Sequence, residues 1–119
     1  MRDFRELKVW EKAHSLTLRL YKLTRSFPKD ERYGLTAQIR RAAASIGANI
    51  AEGCGRRTPG DFARLLQVAV GSGSELQYHL LLASDLEYMP RQEYEQLDRS
   101  TAEVKRMLTT FIRRLMADG

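Results

Sequence analysis

Three prolines and a few loop-type glycines cut this sequence into four stretches, and inside each one the apolar residues recur every three or four positions. No stretch alternates with a period of two, so no sheet is expected and the pattern commits the chain to an all-α fold. The first stretch predicts a helix from about Glu6 to Ser26, with Trp10, Ala13, Leu16, Thr17, Leu20, Tyr21 and Leu23 on one face and Phe27-Pro28 as its stop. The second runs from about Glu31 to Glu52, with a narrow stripe of Leu35, Ile39, Ala42, Ala43, Ile46 and Ile50, and Gly53 as its C-terminal glycine. The third has the clearest start, with Thr58 as N-cap, Pro59 at the first helical position and Asp61 three residues past the cap, and it extends to about Tyr88. The fourth restarts at Pro90 and carries Tyr94, Leu97, Thr101, Val104, Met107, Leu108, Phe111, Ile112 and Leu115 on one face. Connections this short force successive helices antiparallel, which predicts an up-down-up-down four-helix bundle. With no Ser-, Gly- or Pro-rich linker, residues 1–119 read as one domain.

Several function classes are disfavoured. Charges interrupt the apolar runs well before the ~20 residues needed to cross a bilayer, and the opening Met1-Arg2-Asp3-Phe4-Arg5-Glu6 lacks the apolar run of a signal peptide. Cys54 is the only cysteine, so no intramolecular disulfide can form, as is usual in a reducing compartment. A cytoplasmic protein without membrane contact is expected. His14 and His79 sit on different helices away from metal-ligand spacings, and Cys54 has arginines as its near neighbours. The run Glu52 to Gly60 is glycine-rich, but it follows no strand and lacks the Gly-Lys-Ser/Thr ending of a phosphate loop. The expectation is a non-catalytic protein with no metal and no cofactor.

Helix 3 departs from a simple amphipathic pattern. Its core stripe is Phe62, Leu65, Leu66, Ala69, Leu76, Leu80 and Ala83, yet Val68, Leu82 and Leu86 lie on a second side and Val70, Leu81 and Tyr88 on a third. A helix apolar around most of its circumference must be covered around most of it, so Val68, Leu82 and Leu86 are assigned to an oligomer interface; the competing reading is a widened core. Gly71 and Gly73 within the same helix each cost about 1 kcal/mol against alanine, which suggests close approach of a neighbouring backbone. On helix 2, Gln38, Arg41, Ser45, Asn49 and Glu52 form a polar seam beside the apolar stripe, either a solvated face or a structural contact. If the seam is buried, Arg41 needs a partner, and Glu75 on the facing helix is the candidate.

The charges gain meaning once placed on a bundle. Arg5, Lys8, Lys12, Arg19 and Lys22 line one side of helix 1 with no acid between them, a pattern that usually marks a solvated surface. One pole gathers Arg2, Arg5, Lys8, Arg56, Arg57, Arg64, Arg113 and Arg114 against Asp3, Glu6, Glu52, Asp61 and Asp118, while Asp30, Glu31, Asp85, Glu87, Glu93 and Glu95 collect at the other. A net charge of +5 and a pI near 9.7 favour an anionic partner, RNA or DNA, although solubility alone also accounts for the charge. Binding is expected to centre on Arg56 and Arg57, supported by Arg2, Arg5, Lys8, Arg113 and Arg114. With no base-reading element, it is expected to be independent of sequence.

Phe4, Leu7, Val9 and Trp10, then Phe27, Pro28, Glu31, Gly34, Leu35 and Gln38, then Arg41, Ala42 and the run Ser45-Ile46-x-x-Asn49-Ile50-Ala51-Glu52-Gly53 resemble a known family. Arg57, Asp61, Phe62, Ala69, Gly71, Ser72, Glu75 and Leu76 continue the match, which spans roughly residues 4 to 88; Gly73 stands where a larger residue is expected. The family is that of bacterial four-helix-bundle proteins first met within intervening sequences of 23S ribosomal RNA genes. The resemblance implies a closed homopentameric ring and a relation to the accessory proteins of diversity-generating retroelements, which bind nucleic acid and a reverse transcriptase. It does not imply an enzyme. The leading expectation is therefore a homo-oligomer that binds nucleic acid; the alternative is a protein-binding adaptor or scaffold, for a reverse transcriptase or another partner.

Overall fold

The structure, a computed structural model, describes residues 2–118 and comprises α1 (Lys8–Leu23), α2 (Leu35–Cys54), α3 (Pro59–Asp85) and α4 (Arg91–Asp118). Short 3₁₀ turns at Phe4–Glu6, Thr24–Ser26 and Lys29–Glu31 flank α1 and precede α2. Among the described residues there is no strand. α3 packs along α2 on one side and α4 on the other, while α1 closes the square with a lighter contact to both α2 and α4. Neighbours in sequence are thus neighbours in space, the arrangement of an up-down-up-down bundle. The body measures 46 × 22 × 20 Å, close to the ~40 Å length of a 27-residue helix rising 1.5 Å per residue.

The core follows the predicted stripes except at Tyr21, which lies at the edge of the α1 face and is 40% exposed. Leu20, Ile39, Ile46, Ile50, Leu66, Leu76, Leu80, Leu97, Val104 and Leu108 are almost wholly buried. Ala13, Ala42, Ala43, Ala69 and Ala83 bring the backbones together between them. Thr101, also fully buried, returns its hydroxyl to the Leu97 carbonyl at 2.8 Å and so carries no orphan donor.

Helix ends differ from expectation wherever a long-range contact decides them. α1 stops before Ser26 because Thr24 donates its hydroxyl to the Leu20 carbonyl at 2.7 Å and accepts from Arg40 Nε at 2.9 Å, which tightens the last turn. α2 begins at Leu35, not Glu31: the Glu31 carboxylate accepts from the Leu35 N–H at 3.0 Å and from the Tyr88 hydroxyl at 2.8 Å. Those two bonds, the backbone one first, hold the Glu31 carboxyl below its usual range. A Cβ on Gly34 would meet that carboxylate at 2.7 Å, which explains the glycine there. Gly53 is not the end of α2. The helix continues through Cys54 to a cap at Gly55, and Gly53 is buried because the Phe62 ring lies where its Cβ would be, at 2.7 Å.

α3 ends at Asp85 instead of Tyr88, in a left-handed turn. The Glu87 N–H reaches the Ser84 carbonyl and the Tyr88 N–H the Ala83 carbonyl, both at 2.9 Å, with Glu87 at φ 64°. That is a Schellman closure with glutamate in the glycine position. Of the residues assigned to an interface, Val68 and Leu86 are exposed and Leu82 is half-buried, packed in part against its own core. Gly73 likewise makes an internal contact: a Cβ there would meet the Lys105 stem of α4 at 2.9 Å, whereas Gly71 has open space around it.

Two substitutions with opposite signs test these local accounts by thermal unfolding. Glu87→Gly should raise stability by somewhat under 1 kcal/mol, the left-handed cost less the extra freedom of unfolded glycine. Gly53→Ala should lower it by about 1–3 kcal/mol through overpacking against Phe62.

Candidate functional site

Cations gather at the end of the bundle where the N-terminal segment, α1 and α4 meet. Arg2 donates its backbone N–H to the Cys54 carbonyl at 3.3 Å, and this contact places its guanidinium over two rings, 5.4 Å from the Phe111 centroid and 5.8 Å from that of Phe62. The rings themselves meet edge to face at 5.1 Å. Beside this stack a cleft of about 430 Å³ opens between α1 and α4, with Leu7, Val9, Met107 and Phe111 on its apolar side and Arg2, Lys8, Arg106 and Arg114 among its lining. Among the described residues no carboxylate lines it.

The other predicted cations lie elsewhere or are already engaged. Arg5 is held by Asp3, its guanidinium 3.1 Å from the carboxylate, and Arg56 is held by Glu52 at 2.6 Å. Arg57 is exposed on the connection between α2 and α3, outside the cleft, and forms no ion pair among the described residues. Arg113 lies on the neighbouring shallow face of α4 with Arg106 and Lys105. Thr58 spends its hydroxyl on the Asp61 N–H at 3.1 Å, so the start of α3 is capped by its own chain. Asp118 enters the charge balance only as a residue of α4, since its side chain lies outside those described.

Arg106 is not singled out by the sequence pattern, in which only the last turn of helix 4 falls at the pole; its spacing of seven from Arg113 is the available signal. The line of cations on α1 is not simply solvated. Lys12 reaches Glu103 at 3.2 Å, and Arg19 reaches Glu93 at 3.1 Å and Gln96 at 3.0 Å, bracing α1 against α4.

The seam on α2 is a contact with α3. Arg41 pairs with Glu75 and donates to Gln38 at 2.7 Å; Glu75 also lies 3.2 Å from His79 Nε2. Further along, the Ser45 and Ser72 hydroxyls meet at 2.8 Å, and Asn49 donates to the Ser45 carbonyl at 2.8 Å. Burial pushes the Glu75 carboxyl up, but the hydrogen bonds from Arg41 and His79 together outweigh it and hold the group below its ordinary value. The pair is not buried: its side chains are 57% and 37% exposed.

A second groove, of about 280 Å³, runs between α1 and α2, floored by Ala44, Gly47, Ala48 and Ala51 and walled by Trp10 and Tyr21. His14 stacks on Trp10 with centroids 4.7 Å apart and planes 11° apart. Contrary to the expectation that neither histidine has a ligand-type neighbour, Glu11 and His14 make one Glu-x-x-His spacing and Glu75 lies one turn before His79. Glu11 and His14 are both exposed, away from the core where a di-iron bundle would need two such pairs. Cys54 belongs to the end of α2, not to a loop; it is buried, and burial first of all pushes its thiol up, against the pull of Arg2. Such a thiol is a poor nucleophile.

A family model described as 23S rRNA-intervening sequence protein matches residues 5–110. Among solved structures, the chain is similar to a protein of unknown function from the S23 ribosomal protein family of Bacteroides thetaiotaomicron, with a TM-score of 0.79 and 29% identity over 87% of this chain and 97% of that one. Comparison with curated proteins finds no match.

The exposure of the Arg41–Glu75 pair sets its expected weight. Glu75→Gln should cost about 1 kcal/mol or less at pH 7, not the ~3–5 kcal/mol of a broken buried pair. A depressed carboxyl contributes above its unfolded value and loses that contribution as pH falls through the folded one. The gap between wild type and variant in denaturant unfolding should therefore close below about pH 4; a gap that persists there would assign it to packing.

Proposed function

This chain belongs to the 23S rRNA-intervening sequence protein family, and from that premise we propose that it is a non-catalytic homo-oligomer that binds nucleic acid, without sequence preference, through the basic end of its bundle. The observation that carries the reading is the distribution of unspent charge. At that end Asp3 and Glu52 are taken up by Arg5 and Arg56, while Arg2, Lys8, Arg57, Arg106, Arg113 and Arg114 form no ion pair among the described residues. Glu6 and Asp61 also lie at that end, so the cations there outnumber the acids without being unopposed, and an excess of positive charge at one end favours a polyanion over simple solvation. The working compartment in this reading is the cytoplasm; no described helix is long and apolar enough to cross a membrane.

Self-association rests on a separate observation. A head-to-tail ring needs two different faces on one chain that fit each other. Two exposed apolar faces are available: a ridge on α3 with Val68 45% and Tyr78 59% exposed, near the open backbone at Gly71, and the small-residue groove between α1 and α2 with its aromatic walls. We assign the ridge of one subunit to the groove of the next, with a pentamer as the expected closure. The same ridge, extended by Leu86 at 47% exposure, supports the second reading, an adaptor that holds a protein partner such as a reverse transcriptase.

Light scattering should give one species several times the 13.7 kDa chain mass, and Tyr78→Asp should reduce it to the monomer because a charge would be forced into an apolar contact. A monomeric wild type at micromolar concentration would defeat the assembly. Affinity for single-stranded RNA or DNA should fall with salt, and replacing Arg57 and Arg113 by alanine should flatten the logarithmic slope by about 0.7 for each phosphate that is no longer neutralised. Arg5→Ala should leave the slope almost unchanged. Absence of binding at low salt would transfer the preference to the adaptor.

A further inference from the structure

We infer that the cleft between the N-terminal segment, α1 and α4 is a pocket for one unpaired nucleotide, its base lying against Phe111 and Met107 and its flanking phosphates held by Lys8, Arg106 and Arg114. The inference rests on the nucleic-acid reading and sharpens it from a charged surface to a site that prefers single strands.

The starting point is the uneven bracing of the α1–α4 groove. Its upper part is closed by acid–base pairs, Arg19 with Glu93 and Lys12 with Glu103. Below Lys12 the pairing stops. The groove opens into the cleft of about 430 Å³, where cations project from three separate segments and no carboxylate among the described residues contributes. Like charges held together without counter-charge repel one another, so the folded protein gains when an anion enters. The volume lies in the range that accepts one small organic ligand; a duplex is far too wide for it.

Phosphate alone does not account for the floor. Leu7, Val9, Met107 and Phe111 line the cleft together with the cations; Val9 is buried, while Leu7, Met107 and Phe111 are half-buried. The Arg2 guanidinium lies over Phe111 and Phe62 and covers part of the Phe111 ring; Arg2 itself is exposed, so the outer face of its guanidinium and the uncovered part of the ring make up the stacking surface. Unpaired bases stack on those two kinds of surface. A paired base has both faces covered by its neighbours and offers none to the floor.

The test uses the full-length protein and two fluorescein-labelled strands of equal length and charge, an oligodeoxythymidine and its abasic counterpart, compared by fluorescence anisotropy. The thymidine strand should bind at least about fivefold more tightly, the lower end of the effect of stacking one base. Phe111→Leu should collapse that difference. Because Phe111 also packs on Phe62, a second variant, Thr110→Glu at the exposed mouth, should weaken the thymidine strand without disturbing helix content by circular dichroism. Equal binding of the two strands by the wild type, or a difference that survives both variants, would overturn the pocket while leaving polyanion binding in place. If neither strand binds at low salt, the nucleic-acid reading fails and the pocket fails with it.

Discussion

Close approach of α3 to both of its neighbours is the constraint on which the rest of the bundle depends. On the α2 side the Phe62 ring occupies the space a Gly53 side chain would need, and on the α4 side the Lys105 stem does the same at Gly73. Small buried alanines at 42, 43, 69 and 83 lie on α2 and α3, and on α2 the Ala43 carbonyl accepts from the Thr17 hydroxyl of α1 at 3.1 Å. Dispersion falls steeply with distance, so helices that approach this closely gain far more per residue than helices held apart by long side chains. The two glycines weaken the helices locally and are kept because the packing they allow returns more than they cost.

The arrangement leaves α1 as the lightly held member. It contributes Ala13, Leu16 and Leu20 to the core, but its contact with α4 relies on exposed cross-helix ion pairs such as Lys12–Glu103. Exposed pairs of this kind contribute little stability. They do decide where the seam is closed, and grooves remain on both sides of α1 as a result: an aromatic one toward α2 and a cationic one toward α4. Both candidate interaction surfaces therefore border the same helix, and occupation of either one bears on how α1 sits against the other three.

The fold was legible because helix periodicity is a local property. The stripe Phe62, Leu65, Leu66, Ala69, Leu76, Leu80, Ala83 is buried as its spacing required, and Thr58 caps α3 with its own hydroxyl. Features decided by distant partners were not legible. Glu31 caps α2 while tied to Tyr88, and Glu87 adopts a left-handed turn that glycine would normally signal. Leu82 looked free by spacing but is half-buried against its own core. The site followed the same division. Arg41 and Glu75 were paired by a simple placement on facing helices, whereas the cleft depends on Arg106 and on the docking of the N-terminal segment against Cys54, which no single-helix pattern contains.

Trp10 is the only tryptophan in the chain, and it stands at the wall of the α1–α2 groove in face-to-face contact with His14, its indole nitrogen over Gly47. An indole in that setting is an optical reporter. Its emission responds to the polarity of the groove. Filling the groove displaces water from one edge of the indole and shifts the spectrum to the blue. The molecule thus carries an intrinsic fluorophore at the surface where α1 meets α2, and occupancy there can be followed in solution without attaching a label.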